Sequence, residues 1–122
     1  MTAATAAGPG PNRCTNCCSL STCQMCIRDR GVTVFEVWNE PSFSMPLDGS
    51  NGYLELYKDT ATALEKAAAV EHVSIEVGGP GNDDLGQIDN TWIVALAKYV
   101  VEHRLPLDFV SWHMYALSLI HI

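Results

Sequence analysis

This chain contains no long apolar run. No stretch approaches the ~18 consecutive apolar residues of a membrane-spanning helix, so no transmembrane segment is expected and a soluble protein is. Basic residues are scarce as well. Seven Lys and Arg stand against fourteen Asp and Glu, a formal net charge of −7 at pH 7. That balance argues against a nucleic-acid or anionic-membrane partner, since both need clustered positive charge. Residues 1–12 are mostly Ala, Thr, Gly and Pro, with neither a basic start nor an apolar centre. They do not read as a signal peptide, and the natural location stays open. Length is limited too. At 122 residues the chain is one domain at most. A complete (β/α)8 barrel needs roughly 250 residues.

Cysteine is present but confined. All five lie between Cys14 and Cys26. Cys14-x-x-Cys17 and Cys23-x-x-Cys26 have the paired spacing of a four-thiolate zinc site. Only residues 18–22 separate the pairs, against roughly 15–20 residues in a zinc ribbon. No strand pattern surrounds them. We expect no metal ligands here and keep a zinc-binding module as an alternative. Residues 1–24 show neither helical nor strand periodicity, and disorder is expected through residue 30.

The two ends are also related through their possible codons. Met25-Cys26-Ile27-Arg28-Asp29-Arg30 can be encoded by ATGTGTATAAGAGACAG plus a purine. Leu117-Ser118-Leu119-Ile120-His121-Ile122 can be encoded by CTGTCTCTTATACACAT plus a pyrimidine, the reverse complement of the first string. The string resembles the end of a transposon-based sequencing adapter. On this reading residues 1–30 are a non-native segment and residues 117–122 an artefactual tail, leaving 31–116 as the native part.

The middle alternates strands and helices. Thr33–Asn39 is β-branched and aromatic in a run too short for a helix, so it reads as a strand. Residues 42–51 hold Pro46, Asp48, Gly49, Ser50 and Asn51 and form a loop. Gly52 to about Val70 reads as a helix capped by Ser50 or Asn51. Its apolar stripe is Leu54, Tyr57, Ala61, Leu64 and Ala68. Val73–Gly78 alternates as a second strand, and Gly78-Gly79-Pro80 ends it. Asp83, Asp84, Gly86 and Asn90 occupy a loop that lacks the acid ladder of a calcium site. A second helix starts at Asp89 or Asn90 and runs to His103, with Trp92, Ile93, Leu96, Ala97 and Val100 inward. Leu107–Met114 is the third strand. Two βαβ units in this order predict parallel strands joined by right-handed crossovers.

The functional signal lies at the end of the first strand, Val34-Phe35-Glu36-Val37-Trp38-Asn39-Glu40-Pro41. Pro41 withdraws the donor that the next ladder bond would need. A carboxylate at the end of a buried strand is costly unless it is paired or does chemistry. Phe35–Pro41 resembles the acid/base strand of glycoside hydrolases built on a TIM barrel. Three later stretches narrow that resemblance. They are Tyr53-Leu54-Glu55-Leu56-Tyr57 followed by Thr60-Ala61, then Val77-Gly78-Gly79-Pro80, then Leu105 to Tyr115. In order, from Gly31 to about Ala116, they resemble glycoside hydrolase family 39, which holds β-xylosidases and α-iduronidases.

The resemblance implies an α/β fold that is part of a (β/α)8 TIM barrel. About three parallel strands and two helices would correspond to the barrel's fourth, fifth and sixth strands and the helices between them. It implies a retaining hydrolase of O-glycosidic bonds, most simply of β-xylosides, with no cofactor. Glu40 would be the catalytic acid/base. Asn39 would bind the sugar 2-hydroxyl, and His113 and Tyr115 would bind substrate. The nucleophile would sit on the seventh strand, and Glu36, Glu76 and Asp108 do not match its motif. The chain by itself is therefore expected to be inactive. Alternatives are another clan member of cellulase or mannanase type, or a non-catalytic carbohydrate-binding module.

Overall fold

The computed structural model describes residues 20–84 and 91–114. In chain order they form α1 (Leu20–Arg30), β1 (Val34–Glu36), a 3-10 turn (Pro41–Phe43), α2 (Tyr53–Glu71), β2 (Glu76–Asp84), α3 (Thr91–His103) and β3 (Phe109–Met114). The strands make one parallel sheet in the order β1-β2-β3. Phe35 pairs with Val77, and Gly78 pairs with Phe109. Each crossover carries a helix, as a parallel connection requires.

The period-3.6 stripe of α2 explains how that helix packs. Leu54, Tyr57, Ala61, Leu64 and Ala68 are all buried, and they join Phe35, Val37, Val77, Leu96 and Val100 in one core cluster. The helix stops at His72, whose left-handed backbone (φ 55°) turns the chain so that the next N–H, that of Val73, also reaches back to the Ala68 carbonyl at 3.1 Å. Its N-cap is Gly52, without a side-chain cap, rather than Ser50 or Asn51. A Cβ at Gly52 would sit 2.5 Å from the Asp48 carbonyl. The tight loop therefore needs the missing side chain more than a capping oxygen. On α3, Leu96 and Val100 are buried, while Trp92, Ile93 and Ala97 are half-buried.

Two sequence expectations require correction. Residues 20–30, expected to lack order, form α1. Cys23, Cys26 and Ile27 fall at helical spacing and are buried with Val32 in the core cluster. A stripe of that width, packed on α2, is what orders a short helix in water. Cys26 is disulfide-bonded. The Cys14 and Cys17 half of the cysteine pattern lies outside the described residues.

β2 begins at Glu76 rather than Val73, and it does not end at Gly78-Gly79-Pro80 but runs on to Asp84, taking in Asp83 and Asp84 from the expected loop. Pro80 is tolerated because the pairing with β3 shifts between Pro80 and Asn82. Proline within a sheet is at home at such a bulge. At the bulge Gly81 takes φ +59°, and its N–H donates to the Ser111 hydroxyl at 3.0 Å. Beyond it, Asn82 is in register with Trp112 and Asp83 with His113.

The sheet leaves Val34, Val110 and Trp112 exposed. Among the described residues no helix is long and apolar enough to cross a membrane.

Candidate active site

Polar residues gather toward the C-terminal ends of the strands: Glu36, Asn39 and Glu40 at β1, Asn82 in β2, and Ser111 and His113 in β3. β1 stops at Glu36, and Val37 makes one more sheet bond, its N–H to the Gly78 carbonyl at 2.8 Å. The chain then turns sharply. Trp38 (φ 73°) and Glu40 (φ 51°) both take left-handed backbone conformations, which cost free energy for any residue with a Cβ. The turn overcomes strict alternation, which would aim Asn39 and Glu40 at opposite faces of a continuing strand. The Glu40 N–H donates to the Gly81 carbonyl at 2.9 Å. Buried Asn82 accepts the Ser42 N–H at 3.3 Å. The segment following β1 is thus held on both sides of Pro41 by adjacent residues of β2.

The turn brings Glu40 to β3. Its carboxylate Oε1 lies 2.8 Å from His113 Nδ1, and the two side chains stay 24% and 28% exposed. Asn39, also singled out from the sequence, is exposed at the same sheet end. Tyr115 lies outside the described residues. The structure therefore unites Glu40 and His113 directly, with Asn39 next to Glu40 in the chain.

Residues outside the expected catalytic and sugar-binding set of Asn39, Glu40, His113 and Tyr115 support this end of the sheet. Glu36 is a buried carboxylate, 8% exposed, and it accepts a hydrogen bond from the Ser111 hydroxyl. Its signal in the sequence was a lone acid between Phe35 and Val37, on the opposite parity of a strand. Tyr53 is fully buried and donates to the Val37 carbonyl at 3.0 Å. Burial first, then the nearby Tyr57 and Glu36, push its phenol well above the ordinary 10.0. A Cβ on Gly79 would come within 2.5 Å of that hydroxyl. Trp38 donates from Nε1 to Ser44 at 3.0 Å. With Met45 it lines a cavity of about 360 Å³ at the start of α2. Phe43 is exposed. Among the described residues, no group of three or more His, Cys, Asp or Glu side chains is placed to hold a metal ion.

A parallel α/β sheet with a carboxylate and an imidazole in contact at its C-terminal edge defines a class of site suited to acid/base chemistry. The comparisons with known proteins make that class specific. The chain belongs to the glycosyl hydrolases family 39, whose family model matches residues 31–121. It is 34% identical over 94 residues to a β-xylosidase of Geobacillus stearothermophilus, covering 72% of this chain and 16% of that protein. It is 34% identical over 87 residues to a β-xylosidase of Caldicellulosiruptor saccharolyticus, covering 70% of this chain and 16% of that protein. The chain thus spans 16% of the length of these two curated relatives.

Proposed function

We propose that this chain is a segment of a retaining β-xylosidase-type glycoside hydrolase, and that Glu40 is its acid/base. The observation that carries the reading is the 2.8 Å contact between Glu40 and His113 at the C-terminal edge of the sheet. Glycosidic cleavage passes through an oxocarbenium-like transition state in which the leaving oxygen needs a proton. The same group must then take a proton from water. Glu40 therefore has to be stable both protonated and ionised. An imidazole can serve both states, accepting a proton from the acid or donating one to the carboxylate. In this reading Asn39 binds the sugar 2-hydroxyl, and His113 and Tyr115 complete the substrate contacts. The sheet corresponds to the fourth to sixth strands of a TIM barrel.

Retention also requires a second carboxylate roughly 5–5.5 Å from the first. In this reading it belongs to a later strand, so the 122-residue chain does not turn over substrate alone. Residues 1–30 and 117–122 are proposed to be foreign to the enzyme. The start of the family match at Gly31 supports the first boundary, while its extension to residue 121 goes past the second. Sequencing the coding DNA tests both: codons unlike the adapter string at either end reject the idea.

The enzymatic reading is tested with an aryl β-xyloside whose phenol is weakly acidic, a leaving group that needs the proton. The purified chain is expected to release aglycone no faster than buffer. Steady turnover lost on Glu40→Gln would overturn the claim of inactivity. Residues 31–116 are then exchanged into the matching region of the G. stearothermophilus β-xylosidase. The chimaera is expected to be active, and Glu40→Gln to lower its kcat/KM by roughly 10²–10⁴-fold. An active chimaera indifferent to Glu40→Gln rejects the assignment.

A further inference from the structure

Glu36 is not part of the chemistry described so far, yet it sits where a carboxylate is hard to keep. It is buried, 8% exposed, and a buried carboxylate needs partners. It receives the Ser111 hydroxyl proton, and that sets the direction of everything beyond. Having donated to Glu36, the Ser111 oxygen is left as an acceptor, and it takes the Gly81 N–H at 3.0 Å. Gly81 is held from the other side as well, because its carbonyl receives the Glu40 N–H at 2.9 Å.

Gly81 also has no room for a side chain. Its φ of +59° is left-handed, and a Cβ there would lie 2.8 Å from Glu36 Oε1. Glu40 is itself left-handed at φ 51° and ψ 56°. Such a conformation persists only where its surroundings over-determine it. The bond to Gly81 is one of those determinants, and Glu36 is its anchor within the sheet.

We propose that Glu36 is a positioning residue: through Ser111 and the backbone of Gly81 it fixes the turn that aims Glu40. This rests on the reading of Glu40 as the acid/base. Glu36 touches neither substrate nor the reacting atoms in this account. It acts by keeping Glu40 in one orientation, and small misplacements of a reacting group cost rate steeply.

The test uses three variants, Ser111→Ala, Ser111→Thr and Glu36→Leu, in the full 122-residue chain and in the β-xylosidase chimaera. Ser111→Ala removes the link and leaves Glu36 in place, so the test does not depend on Glu36→Leu folding. In the chimaera, Ser111→Ala and Glu36→Leu are expected to lower kcat by about a hundredfold, with KM within about threefold. Ser111→Thr keeps the hydroxyl and is expected to restore kcat to within about threefold of the unsubstituted value. In the 122-residue chain, amide exchange at Gly81 and Glu40 is expected to accelerate about tenfold or more in Ser111→Ala. The Val37 amide, bonded to Gly78, should not change.

Unchanged kcat in Ser111→Ala overturns the proposal. So does an equal loss in Ser111→Thr, or an acceleration shared by Val37. If the unsubstituted chimaera is inactive, that counts against the Glu40 assignment. The exchange pattern in the 122-residue chain then decides the positioning claim alone.

Discussion

His113 Nδ1 and Glu40 Oε1 lie 2.8 Å apart although 73 positions separate the two residues in the chain. Two βαβ crossovers and a left-handed turn after β1 bring them together. A hydrogen bond to a charged group contributes ~1.5–3 kcal/mol. If this one is made throughout the reaction, His113→Ala in the chimaera should lower kcat/KM by roughly ten- to a hundredfold. Steady-state rates on an aryl β-xyloside measure it. A loss below about twofold would mean that the contact does nothing for catalysis.

Gly81 should be among the least replaceable positions in the sheet. Gly81→Ala forces an L-residue into the left-handed region at ~1–2 kcal/mol, and its methyl meets Glu36 Oε1 at 2.8 Å. The urea midpoint of the chain should fall, and the Glu40 amide should exchange faster. An Ala variant as stable as the parent would show that Gly81 can relax out of its observed conformation.

Tyr53 makes stability depend on alkaline pH. Its folded-state pKa is raised by burial and by the neighbouring Tyr57 and Glu36, whereas the unfolded phenol titrates near the ordinary 10.0. The stabilisation is therefore complete below pH ~10 and is lost as pH rises above it, because the unfolded chain ionises first. Urea midpoints at about pH 8 and about pH 11 should diverge. Tyr53→Phe should narrow that difference while lowering stability at both, because the Val37 carbonyl loses its donor. Leaving a buried acceptor unpaired costs ~1–3 kcal/mol.

The order of elements was legible because the periodicities are clean. The stripe from Leu54 to Ala68 obeys one period and is buried, whereas the alternation at Val73–Val77 marks a strand that begins only at Glu76. Pairing of Glu40 with His113 was not legible from spacing. It depends on how Trp38 and Glu40 bend the chain after β1, and non-glycine left-handed residues leave no mark in composition. The extension of β2 was hidden for a related reason. Gly-Gly-Pro ordinarily breaks a strand, and only a partner offering Ser111 as acceptor for Gly81 turns the break into a bulge. Helix α1 was missed because its stripe consists of Cys23, Cys26 and Ile27. Cysteines at that spacing read as metal ligands before they read as core.

The central claim is that Glu40 delivers a proton to the leaving oxygen. The direct measurement is the dependence of Glu40→Ala on leaving group, in the chimaera, with aryl β-xylosides of increasing phenol acidity. A poor leaving group needs the proton, so its cleavage should fall by roughly 10²–10⁴-fold. A strongly acidic phenol needs little help, so the step that releases it should be nearly spared. Added azide should restore turnover by replacing the water that Glu40 would have activated. Equal losses across the series, with no response to azide, would contradict the account.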